Sequence, residues 1–173
     1  MNNISFHITD ITANSIRAGA TVIDLILVDK QGNRSVTVSD NGCGMDAETL
    51  YQVTNPFYTT RTTRKVGLGL PFLKQNVEQT GGEFNAWSKP GEGTRITAIF
   101  RSDHIDCPPW GDLPETIALL ITGNPDVDIR FCYETATHEF AISSKEITEA
   151  LDGIPLSHSQ VSAWLTEMIR ENI

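Results

Sequence analysis

A chain of 173 residues, 39% of them apolar, can build one well-packed domain or one domain with a small appendage, and apolar runs such as Thr21 to Val28 are too short to cross a bilayer. The net charge of −9 falls entirely after residue 100: residues 1–100 carry nine Lys+Arg and nine Asp+Glu, residues 101–173 four and thirteen. An acidic last part argues against a nucleic-acid surface, three cysteines without C-x-x-C spacing argue against a disulfide framework or zinc ribbon, and the start lacks the basic-then-apolar pattern of a signal peptide.

A cytoplasmic protein with no membrane partner is therefore expected. The charge step places a boundary near Arg101, with a domain over 1–101 and a small acidic α+β appendage over 102–173. Ile4, Ile8 and Ile11 recur at three- and four-residue intervals, which predicts a helix from a cap at Asn2 or Asn3 to about Ala18, stopped by Gly19. Its polar sector carries His7, Asp10, Asn14 and Arg17, either an exposed face or one wall of a site.

Thr21 to Val28 and Arg34 to Ser39 are rich in β-branched residues and flank turn chemistry at 29–33, so they read as a hairpin whose second strand delivers Asp40 to its end. Asp46 can cap a short helix to about Val53. A polar, basic stretch without periodicity runs from Asn55 to Val66 and closes on Gly67-Leu-Gly-Leu70, a glycine hinge that opens a helix carrying Leu70, Leu73 and Val77 up to Gly81-Gly82. Glu83 to Ser88 and Thr94 to Phe100 form a second hairpin. In the acidic part, Asp112-x-x-Glu115, Ser143-x-x-Glu146 and Ser157-x-x-Gln160 read as capping boxes, and Val127 to Tyr133 and Glu139 to Ile142 as short strands. Lys145 to Trp164 imitates a helix-turn-helix, but Lys145 and Arg170 are the only cations from Lys145 to the end against five acids. Phosphate contacts supply most DNA affinity, so a helical hairpin on a small sheet of its own, docking a partner through Trp164, is the expectation.

The chemistry centres on Asp40-Asn-Gly-Cys-Gly-Met45. A strand-end aspartate can accept a hydrogen bond from an exocyclic amine, and Gly42 and Gly44 let backbone pass close to a flat ring, which is how adenine is read; Asp-Asn-Gly is also the composition of an ordinary turn. Helix-opening amides at Gly67, Leu68 and Gly69 offer donors to a phosphate chain. Arg61, Arg64 and Lys65, with hydroxyls from Thr59, Thr60, Thr62 and Thr63, suit a loop closing over polyphosphate, or simply a solvated loop. No G-x-x-x-x-G-K-[ST] loop or strand-linked G-x-G-x-x-G occurs. His104, His138 and His158 are scattered, and His104-x-x-Cys107 is half a metal site, so these read as structural.

Asp10-Ile-Thr-Ala-Asn14 through Thr21, Asp40-x-Gly-x-Gly44, Gly67-Leu-Gly69 and Gly91-x-Gly-Thr94 resemble, in order and spacing, the four nucleotide boxes of the gyrase, heat-shock chaperone, histidine kinase and MutL ATPase superfamily. The first two boxes look most like MutL-type proteins, and the stretch from Asn55 looks like histidine kinase catalytic domains. The resemblance covers residues 4–100 and implies an α+β, two-layer α/β sandwich of the Bergerat type, with about four strands covered on one face by helices starting near Asn3, Asp46 and Leu68. It implies ATP and Mg²⁺, with Asp40 on the adenine amine and Thr94 supporting it through water. Asn14 would be the metal ligand, and Gly67, Leu68 and Gly69 would hold phosphate oxygens beneath Thr60, Arg64 and Lys65. Asp10 stands where hydrolytic members carry a water-activating glutamate, one methylene longer. Only three residues precede Ile4 in this sequence, so a phosphoacceptor histidine hairpin is not expected within it, and two classes of function stay open. One is a stand-alone ATPase or phosphotransferase, resembling anti-sigma-factor kinases and detached histidine kinase domains and acting on a protein partner. The other is an ATP-driven conformational switch with little turnover.

Overall fold

The computed structural model describes residues 3–55 and 69–173. Helix α1 (Ile4–Arg17) is capped by Asn3, whose side chain accepts from the backbone N–H of Phe6, and it ends where Gly19 turns through a positive φ. Strands β1 (Val22–Lys30) and β2 (Asn33–Asp40) form the first hairpin; α2 (Ala47–Thr54) starts at the Asp46 cap and α3 (Gly69–Gln79) at the glycine pair. The second hairpin is β3 (Glu83–Lys89) and β4 (Gly93–Arg101). Then follow α4 (Leu113–Gly123), β5 (Asp128–Thr135), β6 (Glu139–Ser143), α5 (Ser144–Ala150) and α6 (Ser159–Asn172).

The strands make one six-stranded sheet in the order β3-β4-β2-β1-β5-β6. One cross-strand row, Ala86, Ile96, Val38, Leu25, Phe131 and Ile142, runs through all of them. With side chains alternating between faces, the buried members of that row share a face with Ile23, Leu27, Ala98, Phe100 and Ile129, and the helices bury this face through Ile4, Ile8, Leu73, Val77, Ile117 and Ile121. Residues on the opposite face, such as Asp24, Ile26, Thr37 and Thr97, are exposed or half-buried. The layers are those of the anticipated two-layer α/β sandwich.

Four expectations are corrected. The sheet has six strands rather than about four, and the acidic part has no sheet of its own: β5 pairs in parallel with β1 over eight residues, from Val22 opposite Asp128 to Asp29 opposite Thr135. The physical reason is the open edge of β1, whose row of unpaired N–H and C=O groups β5 covers. Helix α5 then packs on β5 and β6, whereas α6 packs on α4, so the two do not form the anticipated hairpin. The Asp112 cap and the reciprocal Ser143–Glu146 box are both present, but α6 is capped by His158, whose Nδ1 accepts from the Gln160 N–H, rather than by Ser157. The segment before α4 is strapped to α1 by Ile4 N–H to Pro109 O and Ser5 N–H to Trp110 O, each at 2.9 Å, while the Trp110 indole donates to Asp29 at 2.8 Å.

Candidate functional site

Two residues along a strand return to the same face, so Asp40 follows Val38, Thr94 precedes Ile96 and Ser88 follows Ala86 on the helix-covered side. The register sets Asp40 opposite Thr94 and Thr94 opposite Ser88, giving a polar row at the rim of the apolar one. Helix α1 crosses this rim. The Ser15 hydroxyl, 2% exposed, donates to Oδ2 of Asp40 at 2.6 Å, while Oδ1 accepts from the Gly42 N–H at 2.9 Å and the Thr94 N–H at 3.3 Å. A carboxylate offers about four lone-pair positions, so one further donor can be accommodated.

Asp40 opens onto a cavity of about 170 Å³ walled by Ile11, Val38, Met45, Val53, Leu70 and Ile96, with Asn14, Ser15 and Thr94 as its polar members and Cys43 and Gly44 on its loop side. An apolar cavity with one oriented acceptor suits a heteroaromatic ring carrying an amine. Ser88 braces the rim: its hydroxyl donates to the Gly93 carbonyl at 3.0 Å, accepts from the Met45 N–H at 2.8 Å and lies 2.8 Å from the Thr94 hydroxyl.

The glycines of the aspartate loop are fixed by contacts within the chain itself. Gly44 has φ +67, and a Cβ there would lie 1.9 Å from the Lys89 carbonyl oxygen; a Cβ at Gly42 would lie 2.9 Å from Ala18 Cβ. The β3–β4 turn closes on the loop in return, through Gly91 N–H to Cys43 O at 2.7 Å.

The other predicted residues lie along α1 and at the start of α3. Asn14 reaches the cavity, and its amide oxygen accepts from the Arg17 guanidinium. Asp10 lies one turn earlier, its Oδ2 buried without a hydrogen-bond partner among the described residues and so close to Gly69 that a Cβ at 69 would fall 1.5 Å away. Any Cβ at 69 would displace that carboxylate from its present position. His7, 2% exposed, is contacted by Asn76, whose amide nitrogen is 3.0 Å from Nε2, and by Phe72 with ring centroids 5.5 Å apart. Burial pushes its imidazole below the ordinary value, and the Asp10 carboxylate acts in the opposite sense. Thr60, Arg64, Lys65, Gly67 and Leu68 lie outside the described residues, as does the rest of the basic loop from 56 to 66.

Sequence reasoning missed Ser15, Ser88 and the apolar walls. Ser15 directly follows Asn14 and could have been found by asking which α1 residue buries beside the strand end; Ser88 could be found only by pairing β3 with β4. Among the described residues no three His, Cys, Asp or Glu side chains are grouped to hold a metal. His138 lies 2.7 Å from the Asn172 carbonyl and the His104 ring accepts from the Asp106 N–H.

Residues 4–104 match the family model described as histidine kinase-, DNA gyrase B- and HSP90-like ATPase. A putative sensor protein of Shewanella frigidimarina is 37% identical over 91 residues, covering 50% of this chain and 14% of that protein. The sensor histidine kinases ZraS of Klebsiella oxytoca and YvrG of Bacillus subtilis are 41% and 36% identical over 66 and 85 residues, covering 38% and 47% of this chain and 14% and 15% of theirs. The matched segments thus span about a seventh of these relatives. A crystal structure of the N-terminal domain of a DNA repair protein superposes with a TM-score of 0.54 at 14% identity, covering 82% of this chain and 52% of that one. That share exceeds what residues 4–104 alone can supply, so the likeness of fold continues into the acidic part.

Proposed function

Because the chain belongs to the histidine kinase-, DNA gyrase B- and HSP90-like ATPase family, we propose that it binds Mg-ATP and serves as an ATPase or phosphotransferase in signalling, acting on a protein partner. The observation that carries this reading is Asp40, held by Ser15, Gly42 and Thr94 with acceptor capacity left over at the mouth of an apolar cavity. The adenine amine would take that last acceptor position while the ring fills the slot between Met45, Val53 and Ile96.

Asn14, on the cavity wall nearer Asp10, would be the one protein ligand to Mg²⁺, whose remaining positions suit phosphate oxygens and water. Bound Mg²⁺ supplies charge neutralisation on the phosphates. Thr60, Arg64, Lys65 and the amides of Gly67, Leu68 and Gly69 would hold the phosphate chain, and Asp10 would accept the proton of a water or an acceptor group. A relative named as a sensor histidine kinase supports phosphotransfer as the class of reaction.

Thermal melting tests the binding step. Saturating Mg-ATP should raise the melting temperature of the wild type and leave Asp40→Asn unmoved; equal wild-type melting temperatures with and without nucleotide would remove the reading. The hold of Arg17 on Asn14 favours a second reading, a switch in which nucleotide pulls Asn14 away from Arg17 and little ATP turns over. Asp10→Asn separates the two: it should abolish phosphate release or transfer at retained ATP affinity if the protein is an enzyme, whereas a wild type that turns over nothing with candidate partners leaves the switch.

A further inference from the structure

We propose that His7 is a positioning residue for Asp10: the two are unbonded in this structure, and with nucleotide bound the Nδ1–H of His7 turns onto Oδ2 of Asp10 and holds the carboxylate while the other oxygen takes the proton of water or an acceptor. This rests on the role proposed for Asp10 above.

With the amide nitrogen of Asn76 turned toward it at 3.0 Å, the Nε2 of His7 is assigned as the acceptor and the proton of the neutral ring to Nδ1, an assignment that the tautomer measurement below tests. That proton has no partner, although His7 is only 2% exposed. Three residues further along the same helix, Oδ2 of Asp10 is a buried acceptor with no donor. Residues three apart share a helix face, and both side chains press on α3, Asp10 against Gly69 and His7 against Phe72 and Asn76. A buried donor without an acceptor and, one turn along the same helix, a buried acceptor without a donor are each unfavourable, and pairing them would remove both penalties together. A histidine with only a packing role would satisfy both nitrogens, as buried polar atoms ordinarily do.

Pairing also answers the shortness of the aspartate. A side chain pinned at Oδ2 by an imidazole N–H, with Gly69 packed against that same oxygen, presents Oδ1 in one orientation instead of several. Asn76 supplies the order of the relay, since it decides which ring nitrogen keeps the proton.

The experiment is imidazole ¹⁵N–¹H correlation on the full chain with Mg²⁺ and a non-hydrolysable ATP analogue, alongside phosphate release with Mg-ATP. The wild type should show His7 as the Nδ1–H tautomer, with that proton shifted downfield by the nucleotide and the shift absent in Asp10→Ala. His7→Phe should lower kcat by about tenfold or more with KM for ATP nearly unchanged, and His7→Asn, which places an amide N–H near the Nδ1 position, should recover most of the rate. Asn76→Asp preserves side-chain volume and draws the proton to Nε2, so it should lose rate as His7→Phe does. An Nε2–H tautomer in the wild type, an Nδ1 proton indifferent to Asp10→Ala, or full-rate His7→Phe and Asn76→Asp would each overturn the proposal. A wild type that binds ATP without releasing phosphate sinks the enzymatic reading instead, and the tautomer and the Asp10-dependent shift then still decide whether His7 holds the carboxylate.

Discussion

The Ser15 hydroxyl donates to Oδ2 of Asp40 over 2.6 Å, joining the first helix to the end of the second strand at a point 25 residues apart in sequence. Ser15 is buried and the acceptor is a carboxylate, so the bond orients Asp40 as well as tying two elements together.

Ser15→Ala therefore removes a charge-assisted bond without adding bulk. The variant should lose about 1–3 kcal/mol of stability in denaturant unfolding and should gain less in melting temperature from Mg-ATP than the wild type does. Unchanged stability together with an unchanged nucleotide shift would mean that Asp40 is oriented by Gly42 and Thr94 alone.

Gly44 and Gly123 form a contrasting pair. At Gly44 the positive φ and the Lys89 carbonyl 1.9 Å from any Cβ make alanine strained twice over, so Gly44→Ala should cost more than the roughly 1–2 kcal/mol of the left-handed conformation alone. Gly123, at the end of α4, has open space around it and no positive φ, and Gly123→Ala should be neutral or stabilising by up to about 1 kcal/mol. Urea midpoints of the two variants measure the difference.

Residues 1–101 on their own should not behave as a compact monomer. Removing 102–173 strips β5 from the edge of β1, exposing its unpaired backbone, and takes away Ile117, Ile121, Ile129, Phe131, Leu165 and Ile169 from the core. Aggregation in size-exclusion chromatography and loss of a cooperative melt are expected; a monomeric, cooperatively melting fragment would show that β1 tolerates an open edge.

His7 gives the fold a pH dependence of definite sign. Its ordinary value is 6.5 and burial, only partly opposed by Asp10, lowers it in the folded chain. Between those two values the unfolded chain binds a proton that the folded chain refuses, so His7 favours folding fully above about pH 6.5 and progressively less as pH falls toward the folded value. Comparing unfolding free energies of the wild type and His7→Phe from pH 7.5 downward should show a difference that changes over that window and is flat above it.

The recurrences of Ile4, Ile8 and Ile11, the β-branched runs on either side of residues 29–33 and the glycine-marked loops were sufficient to locate α1, both hairpins and the aspartate loop, because each is specified by local periodicity, capping or turn chemistry. Asp40 was legible as a candidate from its strand end and Asn14 from its helix face, whereas Thr94 and the metal role of Asn14 entered only through the resemblance to the ATPase superfamily. What the tertiary structure alone decided is who meets whom across the chain. Ser15 reaches Asp40, Ser88 braces Thr94 and Gly69 leaves room for Asp10 only once β3, β4, β2 and β1 are in register with α1 and α3 laid over them. The acidic part shows this most plainly. Its charge marks a change of surface near Arg101, but a strand's pairing partner is set by which edge stands open, and the edge of β1 belongs to the assembled sheet and to no local run of residues.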